Sequence, residues 1–213
     1  MGKKLIIVIA LLNILVVVGI SFAQISEPTL QTTQVYRFAD LTEVEESFAT
    51  LNRFENGLTA AISTDDLVEG DVYTLWWVNF DEPQNCTDGA CSEDDIFLFD
   101  NGELVPDGTG NFALNMEQIE AADITIQHAA GGYAVDNSFN TSASLGLGDA
   151  PGIVVGNGLD NPFESEIHLV VRTHGEAQVE AFADQISTFG GGCDPIMQPP
   201  CVDVQFAVFA PVQ

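Results

Sequence analysis

The chain predicts an all-β protein, an antiparallel β-sandwich with one short helix. Three stretches carry that expectation. From Glu164 to Gly175 the side chains alternate. Ile167, Leu169, Val171 and Thr173 fall on one face, and Glu164, Glu166, His168, Val170, Arg172 and His174 on the other. A sustained period of two belongs to a half-buried strand, not a helix. From Asp71 to Phe80 both alternating sets are largely apolar, as in a strand covered on both sides or one with an exposed aromatic patch. Finally, Phe48–Phe54 and Leu58–Ser63 flank Glu55, Asn56 and Gly57, and Asn-Gly is a strong hairpin signal.

The beginning of the chain reads differently. Lys3 and Lys4 precede an apolar run from Leu5 to Ile20, broken by Asn13 and Gly19, and small residues flank an Ala23/Gln24 junction. That is the pattern of a secretory signal peptide over 1–23. An uncleaved anchor is the alternative, since the run is nearly long enough to span a bilayer. Residues 24–47, with Pro28 and several Gln and Thr, read as a flexible lead-in. Residues 48–213 read as a single domain, because their length suits one core and is short for two.

Charge excludes several partners. Arg37, Arg53 and Arg172 are the arginines, and 32 acids give a formal charge of −27. Loss of Lys3 and Lys4 with a signal peptide takes the chain two units lower. Nucleic acid and anionic membrane surfaces would be repelled. The composition suits salty surroundings, where self-repulsion is screened, and an extracellular or cell-surface ligand.

The four cysteines are Cys86, Cys91, Cys193 and Cys201. Four cysteines allow three pairings. The short spacings favour two local loops, 86–91 and 193–201, each contributing roughly 2–3 kcal/mol if unstrained. A Cys₄ zinc site is the other reading, but the C-x₂-C spacing is absent.

After the hairpin and the strand at 71–80, residues 81–95 read as an acidic loop and Ile96–Phe99 as a short strand. Phe112, Leu114 and Met116 alternate, and Met116–Ala122 suits one helical turn. Asp123–His128 alternates again, placing Ile124, Ile126 and His128 together. Gly131–Gly148, rich in Gly, Ser and Asn, reads as a long loop with short extended pieces. Gly152–Gly156 reads as a brief buried strand. Val179, Phe182, Ile186 and Phe189 recur at helical spacing over 178–189, and Gly190–Gly192 end that helix. In the last strand Val202, Val204, Phe206, Val208 and Ala210 form the expected inner face.

Catalytic signatures are missing: there is no Gly-x-Ser-x-Gly, His-Glu-x-x-His, phosphate loop or dinucleotide fingerprint. No motif calls for a cofactor. Clustered carboxylates make Ca²⁺ the candidate cation, with Glu93, Asp94, Asp95 and Asp100 as ligands. His168 and His174 are roughly 20 Å apart along a straight strand, so they do not share a metal. The expected binding face is His128, Glu166, His168, Arg172 and His174, with Trp77 as an aromatic platform. Arg172 should meet a carboxylate from a neighbouring strand. The leading functional reading is a secreted, non-catalytic binding or structural module. The alternative is a secreted hydrolase or metalloenzyme built on His168, Arg172 and His174 with His128.

Two resemblances add to this. Leu67-x-x-Gly70-x-x-Tyr73 resembles the tyrosine corner of Greek-key, Ig-like sandwiches such as fibronectin type III domains, where a Tyr hydroxyl bonds back to the backbone. Glu69 stands where Pro is usual. The strands Tyr73-Thr74-Leu75-Trp76-Trp77-Val78 and Glu166–Gly175, the stretch Gln185–Phe189, both cysteine loops and Asp203–Val208 resemble an uncharacterised family of secreted bacterial β-proteins. Glu176 stands where similar chains carry Pro. The resemblance implies secretion and a shared fold, and no activity.

Overall fold

The computed structural model describes residues 27–109, 112–148, 153–193 and 199–212. The expected signal peptide lies outside them. The strands are β1 (Thr29–Arg37), β2 (Glu43–Phe54), β3 (Gly57–Thr64), β4 (Asp71–Phe80), β5 (Phe99–Asp100) and β6 (Glu103–Leu104). They continue with β7 (Ile124–Tyr133), β8 (Phe139–Gly146), β9 (Ile153–Val155), β10 (Glu166–Glu176) and β11 (Val202–Phe209). Two short helices, α1 (Met116–Ala121) and α2 (Phe182–Gln185), interrupt them.

All-β and antiparallel hold as expected. Nine strands, however, hydrogen-bond into one continuous sheet in the order β8-β3-β2-β1-β11-β10-β4-β7-β9, with β5 and β6 forming a separate hairpin. β8, at one end of that order, and β7, next to the other end, are joined by a tight turn bridged at Val135 and Ser138. The sheet therefore rolls up until it is nearly barrel-like. Its interior is filled by residues such as Leu51, Ile62, Leu75, Trp77, Leu169 and Phe209. A second apolar layer lies outside the roll. There Trp76, Phe80 and Val170 are covered by Phe97, Ile119 and their neighbours from the excursion between β4 and β7. The strand at 71–80 is thus covered on both faces, the first of the two readings its sequence allows, with Trp76 outside and Trp77 inside.

Several expectations are corrected. The lead-in at 24–47 contains β1, which sits in mid-sheet between β2 and β11. Its inward positions include Gln31, whose amide serves buried Arg53, so this stretch lacks the apolar signal of a core strand. Gly131–Gly148 is not a loop but the end of β7, a turn and β8. The 178–189 helix shrinks to α2. There the Gln185 side chain bonds the His174 and Glu176 carbonyls and the Gln178 amide, and Val179 is exposed. In β11 the buried residues facing the roll are Gln205, Ala207 and Phe209, while Phe206 packs in the outer layer.

Other expectations hold. The 48–63 hairpin is present, although Phe54 pairs with Gly57, so Glu55 and Asn56 make its turn. Gly57, at φ +146°, is needed for close approach: a Cβ there would lie 2.1 Å from the Leu145 carbonyl oxygen. The Val68 amide donates to the Tyr73 hydroxyl at 3.0 Å. Both local disulfides, Cys86–Cys91 and Cys193–Cys201, are present. They point to an oxidising, extracytoplasmic environment. Among the described residues no helix is long and apolar enough to cross a membrane.

Candidate functional site

Trp76 occupies the centre of the outer face, between β10 and β7. Its indole N–H donates to Thr74 Oγ1 at 2.7 Å, and Thr74 Oγ1 lies 2.8 Å from His174 Nε2. An indole nitrogen only donates, so the Thr74 oxygen accepts there; the direction of its bond to His174 depends on the ring's tautomer. His174 Nδ1 faces the Cys201 sulfur at 3.5 Å. That sulfur is disulfide-bonded and has no hydrogen to give. Burial, then the charge of Arg172, pull the His174 pKa from 6.5 down to about 4, against a hydrogen bond to the Gly191 backbone.

Arg172 lies beside this chain of bonds. Nη1 meets Asp203 Oδ1 at 2.7 Å, Nε donates to the Phe189 carbonyl and Nη2 to the Cys201 carbonyl. The guanidinium also stacks 4.1 Å from the Phe189 ring centre. Phe189 in turn meets Trp76 edge-on, at 5.1 Å between rings, and His128 meets it at 5.3 Å. Arg172, His128 and His174 therefore converge on Trp76 as its supports.

Above Trp76 opens a cavity of about 290 Å³. Trp76 and Val78 from β4, Val170 from β10, and Phe206 and Val208 from β11 line it from the sheet side. Phe38, Phe97 and Phe189 join the lining from the covering segments. Its polar lining includes Glu93, Asp94, Asp203 and His168. The covering turn is fixed locally. Cys91 is tied to Cys86, and Ser92 caps the single turn Glu93–Asp95 in a reciprocal box with Asp95. Such a double constraint holds Glu93 and Asp94 in place before any ligand arrives. Burial, then the Asp203 and Asp94 charges, raise the Glu93 pKa even though part of its side chain meets solvent. Among the described residues its carboxylate has no hydrogen-bond or ion-pair partner.

The residues expected to form a binding face divide. His168 reaches the cavity, with its Nε2 2.7 Å from Glu166 Oε1 and its ring against Phe80. Trp77, Arg172 and His174 are sealed, at 1%, 0% and 0% exposed, and do not meet a ligand directly. Trp77 is core of the roll, not an exposed platform. His128 is half-buried and burial lowers its pKa. The hydroxyl–imidazole contact of Thr74 and His174 has the geometry of a nucleophile and its base. Both are closed to substrate, and the Trp76 N–H occupies the hydroxyl oxygen.

The four acids expected to hold Ca²⁺ also divide. Asp95 is buried and its two oxygens accept from the Thr87 and Ser92 amides. Asp100 sits in the β5–β6 hairpin, bonded to Asn101. Only Glu93 and Asp94 share the cavity. Among the described residues no group of three or more His, Cys, Asp or Glu side chains is placed to hold a metal ion. The sequence reading missed Phe38, Phe189, Phe206 and Asp203. Asp203 had one available signal: it is the acid beside an apolar strand in a chain whose Arg172 needed a carboxylate. No protein-family model, curated protein or solved structure matches this chain.

Proposed function

We propose that the protein is a secreted, non-catalytic binding module that holds a small, apolar-bodied ligand in the cavity over Trp76. The observation that carries this reading is the cavity itself, walled by aromatic rings and held open by a disulfide-pinned turn on one side and a rigid strand face on the other. Ligand sites are characteristically concave, mostly apolar and largely pre-formed, with a few polar groups. At about 290 Å³ it has about twice the volume of a cavity that takes up benzene. The buried bonds from Trp76 to Thr74 and His174 support a floor that does not rearrange. The apolar segment at the start of the chain and the two local disulfides support secretion. The Tyr73–Val68 bond supports kinship with Greek-key sandwiches. The motif resemblance to secreted bacterial β-proteins supports the same compartment.

A neutral fluorescent dye, N-phenyl-1-naphthylamine, tests the reading. It should bind saturably with one site per chain, and Val208→Trp, which fills the cavity from β11, should abolish the signal. Binding that is absent in the native protein or unchanged in Val208→Trp would overturn it. Stoichiometric zinc or copper in the purified protein would instead favour the metalloenzyme reading.

A further inference from the structure

We infer that the cavity's ligand is a small organic cation, an amine or ammonium whose apolar body lies against the part-exposed rings of Phe38 and Phe206 and whose charged end meets Glu93. This rests on the binding-module reading above and goes further by naming the ligand's charge.

Two independent features converge. The first is the wall: aromatic faces attract a cation through the negative face of the ring, and Phe38, Phe189 and Phe206 present part-exposed rings to the cavity. The second is the lining's charge. Glu93, Asp94 and Asp203 contribute to it, and neither arginine nor lysine does. Arg172, the nearby cation, is buried beneath the surface and directed to Asp203 and to the Phe189 and Cys201 carbonyls. His168 faces Glu166. The Glu93 carboxylate, with no partner among the described residues, is the group left to receive a positive charge. An anionic ligand would face these carboxylates and the chain's formal charge of −27. A bare divalent ion does not fit either. Calcium requires about six to eight oxygen ligands, and this lining is mainly hydrocarbon and aromatic rings.

The test is a calorimetric comparison of three probes of one shape: 2-phenylethylamine, 2-phenylethanol and phenylacetate, at neutral pH and about 0.15 M salt, where long-range attraction is screened. The amine should bind about tenfold tighter than the alcohol, and phenylacetate weakest. Glu93→Gln, at an exposed position that leaves the fold alone, should remove most of the amine's advantage without weakening the alcohol. Glu93→Lys should turn the preference toward phenylacetate. Equal binding of amine and alcohol would overturn the cation inference while leaving the cavity reading intact. Binding of none of the three, with no dye binding, would overturn both. An amine preference that survives Glu93→Lys would show a general attraction to the acidic surface and overturn the assignment to this site.

Discussion

Arg172 on β10 and Asp203 on β11 are brought face to face by a bulge. Along the pair Val171 lies opposite Gln205, yet Arg172 lies opposite Asp203, so Val204 is the extra residue. An added residue re-aims the side chains beyond it, and here it turns Asp203 to the outer face, 2.7 Å from Nη1. Arg172 is wholly buried. Arg172→Met should therefore strand the Asp203 carboxylate and two carbonyls and cost about 3–5 kcal/mol. A denaturant melt against the native protein measures it. A shift under about 1 kcal/mol would mean that the pair behaves as a solvated surface bridge.

The bulge also explains why this site was only half legible. The alternation of Glu164–Gly175 identified β10 and sorted its faces correctly, because a period of two survives in one unbroken strand. The same reasoning placed Phe206 on the inner face of β11. Both faces of that strand are covered, so apolar alternation carried no information about which side was which. Trp76 and Trp77 illustrate the same limit: both are buried, in different layers. β1 was missed because its inward residues include the amide that serves Arg53. Phe189 was visible as a periodic apolar residue, but its position over Arg172 depends on a chain path that Gln185 fixes through long-range bonds.

Arg53 presents a second buried cation, with no carboxylate among its partners in the described residues. Its guanidinium donates to the Gln31 side chain and to the carbonyls of Pro162, Ser165, Phe209 and Ala210. Burial lowers its pKa to about 10. These bonds tie β2 to the loop before β10 and to the end of β11. Arg53→Met should cost about 3 kcal/mol or more by leaving buried carbonyls without donors. Arg53→Lys should recover little, because a lysine offers three donors in place of a planar fork of five. Chemical denaturation of both variants checks this, and near-native stability of Arg53→Lys would contradict it.

Two glycines separate backbone strain from crowding. Gly102 has φ +85° with nothing within 4 Å of a Cβ, whereas Gly57 has φ +146° and the Leu145 carbonyl oxygen at 2.1 Å. Gly102→Ala should cost about 1–2 kcal/mol from strain alone. Gly57→Ala must part β3 from β8 and should cost more than about 3 kcal/mol. Thermal melts of the two variants give the comparison, and equal losses would show that β8 yields easily.

The chain's acidity should make its stability depend on salt. With 32 acids against five basic residues, self-repulsion opposes folding at low ionic strength. The melting temperature should rise with NaCl until the Debye length falls below roughly 10 Å, near 0.1 M. Calcium at low millimolar concentration should add little beyond NaCl of matched ionic strength. A much larger calcium effect would reveal specific cation sites among these acids.

His174 should make the protein lose stability in acid through one identifiable group. In the folded chain its pKa is about 4, against an ordinary 6.5. Above pH 6.5 both folded and unfolded chains hold it neutral, and it contributes its full stabilising bonds to Thr74 and toward Cys201. As pH falls below 6.5 the unfolded chain takes up the proton first, so unfolding becomes progressively easier until the folded form also protonates near 4. The difference amounts to about 3 kcal/mol across that window. Carboxylates act in the opposite direction: burial raises the pKa of Asp81 and Asp123, so the folded chain binds their protons first. The wild-type curve alone therefore mixes the two. The informative quantity is the native stability minus that of His174→Asn, measured by denaturant melts from pH 7 to pH 4. It should shrink as pH falls, because the variant lacks the titrating ring but keeps every carboxylate. A difference that stays constant over that range would show that the imidazole titrates alike in both states, and that burial and the Arg172 charge do not hold the ring neutral.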